Sequence, residues 1–216
     1  MQRRHLSRLL LTCALTAASL ATAAAETAAT WPSKPIKFVV PFGPGGANDL
    51  IARAAAEAVS KRLHQPVIIE NKPGAGAVIG ADYVAKSKPD GYTFLIGAAG
   101  VVTNSILNKQ LPYADSDLVP VGMIAVAPSV IVVHPSVPAK DLKEFVAYAK
   151  AAGPQGINWS TAGSGSTPHF VAEMLKQETG VTVNIVPYKS GSEGVTAVIS
   201  NNVTATSEAS IVVLPQ

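Results

Sequence analysis

From Trp31 onward the sequence alternates short apolar strands with amphipathic helices, and this alternation restricts the possible fold more than any other feature. The first unit consists of an apolar strand over residues 36–40, a glycine-rich loop over 41–48 and a helix over about 49–63. Repeats of this kind form a parallel sheet that is covered by helices. The sequence therefore predicts an α/β fold.

The same alternation continues to the end of the chain, with one interruption. Further strands are predicted over 67–70, 93–97, 157–160, 182–186 and 203–206, and further helices over 77–86, 141–152, 168–179 and 192–200. Between residues 111 and 138, five prolines punctuate two apolar strands, over about 119–126 and 129–133. We interpret this region as a crossover, which predicts a first lobe over 26–120 and a second lobe over 121–216. The apolar residues 211–213 have no predicted partner, so we expect the fold to be incomplete at its C-terminus.

Residues 1–25 have the pattern of an export signal. A cationic stretch over 2–8 precedes an apolar stretch over 9–20 and a run of small residues over 21–25. Such a segment is removed on export, and cleavage after Ala23 or Ala25 fits best. The apolar stretch is shorter than the ~20 residues that a membrane span needs. We expect a periplasmic protein; a twin-arginine signal at Arg3-Arg4 and a lipoprotein cysteine at Cys13 are weaker alternatives.

Charge and cysteine usage exclude several classes of protein. Three of the 17 Lys and Arg residues, and none of the 14 Asp and Glu residues, lie in the signal, which leaves 14 of each. A neutral mature chain has no electrostatic footprint for nucleic acid or an anionic membrane. The only cysteine, Cys13, also lies in the signal. Disulfides, cysteine nucleophiles and thiolate metal sites are therefore excluded from the mature chain.

Two glycine-rich loops stand between a predicted strand and a predicted helix, which is where open parallel sheets bind ligands. In the first loop, Gly45 and Gly46 let a ligand approach the backbone, and the amides from Gly46 to Asp49 point out of the helix start. The second loop covers 160–167, is rich in hydroxyl groups and precedes Pro168. Both loops suit an anion; the alternative is that the glycines only shape a turn.

Nucleotide-binding and hydrolase motifs fit poorly. The first loop lacks the third glycine of the dinucleotide fingerprint, the glycines at 74, 76 and 80 are spaced by one residue too many, and no Walker lysine follows either loop. No G-x-S-x-G elbow is present, although Ser164, Ser166 and His169 keep open a secreted hydrolase or transferase that uses the second loop.

The remaining candidates are single side chains. Outside the signal, His64, His134 and His169 are widely separated and lack metal-ligand spacing, so neither a metal nor a cofactor is predicted. His169, one position after Pro168, is a candidate ligand donor. Glu208, just past the predicted strand over 203–206, is either a contact for the ligand or a solvated loop acid.

Several ordered motifs carry a resemblance to a known family. They are WPSKPI at 31–36, VVPFGPGGAND at 39–49, ENKPGAG at 70–76, KPDGYT at 88–93, LPY at 111–113, PSVPA at 135–139 and VPYK at 186–189. From Trp31 to its end, the chain resembles the substrate-binding proteins of tripartite tricarboxylate transporters, the Bug-type periplasmic solute receptors.

The resemblance implies a two-domain, Venus-flytrap receptor that closes on a small carboxylate and presents it to a membrane permease. It further implies a monomer without cofactor or enzymatic activity, in which both loops grip the ligand through backbone amides. The implied ligand-binding residues are Phe42, Gly45, Gly46, Ala47, Asn48, Asp49, Gly97, Ala98, Ser164, Gly165, Ser166, Thr167, His169 and Glu208. Because the family commonly has other residues at Asn48, Ser190 and Glu208, the identity of the carboxylate does not transfer.

Overall fold

The computed structural model describes residues 31–216, so the predicted export signal and its cleavage site lie outside the described residues. Two sheets form the framework. The strands are β1 (Ile36–Val40), β2 (Val67–Asn71), β3 (Thr93–Leu95), β4 (Ser129–Val133), β5 (Ile157–Thr161), β6 (Val183–Pro187) and β7 (Ala205–Ala209). The helices are α1 (Ala47–Leu63), α2 (Val78–Ala85), α3 (Ala99–Leu107), α4 (Leu142–Ala151), α5 (Thr167–Thr179), α6 (Gly191–Ile199) and α7 (Ser210–Val213).

The first sheet has the strand order β2-β1-β3 and is parallel throughout. Its central strand β1 is apolar apart from Lys37, and its other four residues are buried, as expected for a parallel strand covered by helices. Phe38 and Val40 pack with Ala52 and Ala56 of α1 in the core on this side.

The second sheet has the order β4-β7-β5-β6. Strands β5, β6 and β7 are parallel, whereas β4 runs antiparallel to β7. Its core surrounds Trp159, which is fully buried against Phe145 of α4 and donates its indole N–H to the backbone oxygen of Pro168. Trp159 thereby fixes the start of α5 against the sheet.

Side-chain caps set the start of two helices. The Asp141 carboxylate accepts from the N–H of Glu144 at the start of α4, and the Ser190 hydroxyl accepts from the N–H of Glu193 at the start of α6. Such caps satisfy backbone donors that lack partners within the helix. At the other end, α5 stops at Gly180 in the left-handed conformation.

Three sequence predictions are wrong in detail. Residues 119–126 form no strand: Val121 and Met123 are more than 80% exposed, and no strand of the described residues pairs with them. Helix α3 is absent from the sequence prediction, because its glycine, valines and threonine have low helix propensity. Strand β7 lies two residues later than predicted, and Glu208 is therefore part of the strand.

The α/β class of the prediction is confirmed by these two helix-covered sheets. The proposed division of the chain at residues 120 and 121 stays a prediction. No helix within residues 31–216 combines the length and apolar character that crossing a bilayer requires.

Candidate functional site

The carboxyl ends of the parallel strands in the two sheets face each other and enclose a cavity of about 150 Å³. This volume is well above the ~10–15 Å³ that a single water molecule needs, so the cavity suits a small solute. It is lined by Phe42, Gly46, Ala47, Asn48, Ala98, Ala127, Ser129, Ala162, Ser166, Thr167, Pro168, Gly191, Glu208 and Ala209.

Many of the residues that the sequence singled out meet at this cavity. Those that line it are Phe42, Gly46, Ala47, Asn48, Ala98, Ser166, Thr167 and Glu208. Others belong to the same loops without lining it, namely Gly45, Asp49, Gly97, Gly165 and His169. Ser164 borders a second cavity of about 340 Å³, which shares Phe42 and Ala162 with the first. Ligand contact by all of these residues stays a prediction.

The start of α1 presents unbonded backbone donors to the cavity. Within the described residues, no hydrogen bond uses the N–H groups of Ala47 and Asn48, and no side chain caps this helix. The Asn48 side-chain amide donates to the backbone oxygens of Ile96 and Gly97, which holds the β3–α3 loop beside the helix. The partial positive charge of a helix start and free amides together favour an anion.

Asp49 lies behind this loop and holds it in place. Its carboxylate accepts from the N–H of Gly45 at 3.0 Å, from Asn71 Nδ2 at 3.0 Å and from two nitrogens of Arg53 at 2.9 and 3.0 Å. Burial raises the pKa of Asp49, but the bonds from Arg53, Gly45 and Asn71 outweigh burial, so the pKa lies below its ordinary value. Arg53 therefore supports the loop, although its side chain is half exposed.

Hydrogen bonds within the second loop, and between it and the first turn of α5, fix the shape of the loop. The Ser166 hydroxyl donates to the Gly163 oxygen at 2.7 Å, and the Gly165 N–H donates to His169 Nδ1 at 3.0 Å. At the start of α5, Thr167 contributes an N–H that no hydrogen bond of the described residues uses. His169 thus shapes the loop.

These bonds bear on the hydrolase alternative. Ser166 donates to a backbone oxygen and His169 Nδ1 accepts from a backbone N–H, so neither bond joins a nucleophile to a base. Among residues 31–216, no group of three or more metal-ligating side chains is assembled.

A third helix start was missed by sequence reasoning. Gly191, the first residue of α6, lines the cavity and lies next to Gly46 of the opposite loop: a Cβ on Gly46 would be 3.5 Å from the Gly191 nitrogen. A side chain at 191 would run into the Glu208 carboxyl group. The signal in the sequence was Ser190 with Glu193 three residues later, a helix-start pattern directly after a predicted strand.

Glu208 is the only charged side chain among the described residues that line the cavity. It is 6% exposed, and its one hydrogen bond is accepted from the N–H of Ala209 at 3.0 Å. Burial raises the pKa of Glu208 above its ordinary value, and the Ala209 bond offsets this only in part.

Backbone contacts join the two sides of the cavity. The Gly43 N–H donates to the Lys189 oxygen at 2.8 Å, and the Ser192 hydroxyl donates to the Pro44 oxygen at 3.1 Å. At the other rim, Gly76 packs on Ser164 and Gly100 packs on Gly165. The two sheets therefore meet without an ion pair between them in the described part of the chain.

Comparison with known proteins identifies the family to which this architecture corresponds. The profile of the tripartite tricarboxylate transporter family receptor matches residues 51–216. A UPF0065 protein of Bordetella pertussis is 40% identical over 189 residues, which cover 87% of this chain and 58% of that protein. The chain therefore spans less than two thirds of the length of this relative.

Solved structures of related proteins have a similar fold. Rpa4515 of R. palustris with adipate is 33% identical with a TM-score of 0.81, over 86% of this chain and 62% of that one. MatC from Rhodopseudomonas palustris with bound malate is 29% identical with a TM-score of 0.77, over 86% of this chain and 63% of that one. The resemblance seen in the sequence motifs is thus confirmed, and the chain belongs to the tripartite tricarboxylate transporter receptor family.

Proposed function

We propose that the protein is a periplasmic solute receptor that captures a small carboxylate and delivers it to a tripartite tricarboxylate-type membrane permease. In this function the carboxylate lies in the 150 Å³ cavity, between the loops of the two sheets. The protein acts by binding and release, and it catalyses no reaction on its ligand.

One observation carries the proposal: the helix starts of α1 and α5 both reach the cavity with unbonded N–H groups, and no cation lines it in the described residues. Amides and helix dipoles hold a carboxylate without a fixed countercharge. A ligand carboxylate held in this way breaks no ion pair on release, which suits delivery to a second protein.

The family supports the same conclusion. Its profile is that of a transporter receptor, and two relatives were solved with the carboxylates adipate and malate. A receptor that meets its permease outside the cytoplasm must itself be exported, and the predicted signal over residues 1–25 is consistent with this.

The test is titration calorimetry with a panel of mono- and dicarboxylates on the wild-type protein and on Gly46→Val. The Gly46 backbone has an ordinary φ of −76°, so a branched residue is not strained there, but its methyl groups would occupy the ligand's place. We expect at least about a tenfold loss of affinity, equivalent to ~1.4 kcal/mol. Gly46→Ala is the matched control, because its Cβ meets neighbours only at ordinary contact distances of 3.5–3.7 Å.

Asp49→Asn provides a second comparison. Because Asp49 lies behind the loop and outside the cavity lining, its replacement should weaken binding less than Gly46→Val does. Equal affinity in the wild type and Gly46→Val would remove the first loop from the binding site. A folded wild-type protein that binds no member of the panel would overturn the proposed function.

A further inference from the structure

Glu208 differs from the other buried or paired acids of the protein in how little its charge is compensated. Asp49 accepts four hydrogen bonds, two of them from Arg53, and Glu70 is bonded by Lys37 and Lys72. Glu208 accepts a single backbone N–H, and no lysine, arginine or histidine of residues 31–216 forms an ion pair with it. Both carboxylate oxygens can accept two bonds each, so most of this capacity is unused.

A buried carboxylate with few hydrogen-bond donors around it raises the free energy of the folded state. A carboxylate that has lost water without gaining partners destabilises the fold. Glu208 lies near the end of β7 with only 6% of its surface exposed; it lines the cavity, and its carboxyl group lies against Gly191, which also lines the cavity. The missing partner therefore has to enter through the cavity.

Positive and negative charge come from different parts of the cavity wall. The start of α1 and the start of α5 bring partial positive charge to it, while Glu208 brings the one negative side chain of the described lining. Gly191 lies close to both Glu208 and the Gly46 loop, since a Cβ on Gly191 would meet the Glu208 carboxyl group and a Cβ on Gly46 would lie 3.5 Å from the Gly191 nitrogen.

We infer that the ligand is a carboxylate that also bears an ammonium group, with the carboxylate on the helix-start amides and the ammonium on Glu208. This inference rests on the proposed function, because it needs the carboxylate to lie at the helix starts. An ammonium brings a full positive charge and three donors, which neutralise Glu208. A hydroxyl would supply one donor and leave the charge of Glu208 uncompensated.

The glycine at position 191 fits this assignment. Any side chain there would collide with the Glu208 carboxyl group, so glycine lets the acid stand at the cavity wall beside the first turn of α6. Glu208 and Gly191 together define an ammonium subsite next to the carboxylate subsite.

The experiment measures affinities by calorimetry for matched pairs that differ only in the amino group: aspartate with succinate, and alanine with propionate. Malate is included as the hydroxyl counterpart of aspartate. For at least one pair we expect the wild-type protein to bind the amino member at least about tenfold more tightly, as is typical of charge-assisted hydrogen bonds. In Glu208→Gln that preference should fall to less than about threefold, while the deamino member binds at least as tightly as it does to the wild type, because the substitution removes a like charge from the cavity wall.

Glu178→Gln is the matched control, because Glu178 is an exposed acid near the far end of α5 and the substitution removes the same charge. Its ligand preferences should equal those of the wild type. If the wild type prefers succinate, propionate or malate, or if Glu208→Gln leaves the preference unchanged, the ammonium subsite is overturned although the carboxylate receptor stands. If the folded wild type binds none of the compounds, both proposals fall.

Discussion

At the scale of single residues, Asp49 and Glu208 are two buried acids with opposite surroundings. The hydrogen bonds from Arg53, Gly45 and Asn71 lower the pKa of Asp49 despite its burial, whereas burial raises the pKa of Glu208. Asp49, which supports the first loop, accepts four hydrogen bonds, whereas Glu208, which lines the cavity, accepts only one. The two acids should therefore respond in opposite directions to pH and to neutralisation.

Neutralising Glu208 should stabilise the unliganded protein. Because its folded pKa is raised, the stability that protonated Glu208 contributes is present below its ordinary pKa of 4.5 and is lost as the pH rises through the folded pKa. At pH 7 to 8, Glu208→Gln should thus raise the Tm by about 2–4 °C, the shift expected per kcal/mol for a chain of this size. The gain should disappear near pH 4. Thermal melts across this pH range check it, and a lower Tm at pH 7.5 would show that Glu208 has a partner that we have missed.

Neutralising Asp49 should destabilise the protein. Its folded pKa is lowered, so its contribution is present above the ordinary value of 3.8 and is lost as the pH falls through the folded pKa. Since Arg53 is half exposed and its ion pair is screened, we expect Asp49→Asn to cost about 2 kcal/mol at pH 7. Urea unfolding at pH 7 and pH 3 measures the difference. A cost that is as large at pH 3 as at pH 7 would assign the effect to packing and not to charge.

At the scale of elements, the contact between α3 and the second loop tests whether ligand capture needs the two sheets to meet. Alanine at Gly100 should favour helix α3 itself, but its Cβ would lie 2.7 Å from the Gly165 oxygen across the cavity rim. We expect Gly100→Ala to weaken binding of the panel carboxylates about tenfold and, because a backbone oxygen has to shift, to lower the Tm of the unliganded protein as well. Gly122→Ala is the control, because nothing lies within 4 Å of its Cβ. Unaltered affinity in Gly100→Ala would mean that binding does not require this contact.

How much of these elements the sequence reveals depends on where their stability comes from. Strand β1 is visible because most of its residues are apolar and buried, and helix α1 because a long run of strong helix formers follows a glycine-rich loop. Helix α3 is not visible, since it is held by contacts from elsewhere, such as the bond from Asn104 to the Gly76 oxygen. The apolar run 119–126 looks like a strand because composition records β-propensity but not the presence of a pairing partner.

The candidate site shows the same division. Both glycine-rich loops could be found because a glycine cluster between a strand and a helix has a local meaning. The convergence of Gly191, Ser129 and Ala209 on the same cavity depends on the order β4-β7-β5-β6, which no local pattern encodes. Glu208 was found as the acid nearest a strand end, although its burial and its lack of partners are properties of the fold alone.

At the scale of the whole molecule, the two sheets meet through backbone and small side chains around a neutral seam. The bonds from Gly43 to Lys189 and from Ser192 to Pro44 involve uncharged donors and acceptors. Contacts of this kind depend little on ionic strength, in contrast to ion pairs. Ligand affinity should accordingly change little between low and moderate salt, apart from the screening of the ligand's own charges.

The segment 119–126 gives the molecule an exposed apolar surface that can be removed without touching its core. Val121, Met123 and Val126 are 82%, 83% and 82% exposed, so replacing all three with serine forfeits almost no burial. Surface changes of this kind usually alter stability by no more than about 0.5 kcal/mol each, whereas contiguous exposed apolar residues attract hydrophobic dyes and neighbouring molecules. We therefore expect the triple serine variant to bind less hydrophobic dye and to aggregate more slowly, with a Tm within a few degrees of the wild type. Val39→Ser, at a fully buried position of β1, is the contrasting control and should unfold the protein or lower its Tm sharply. A large drop in Tm for the triple variant would show that these three side chains are buried in solution, in contrast to their exposure in this structure.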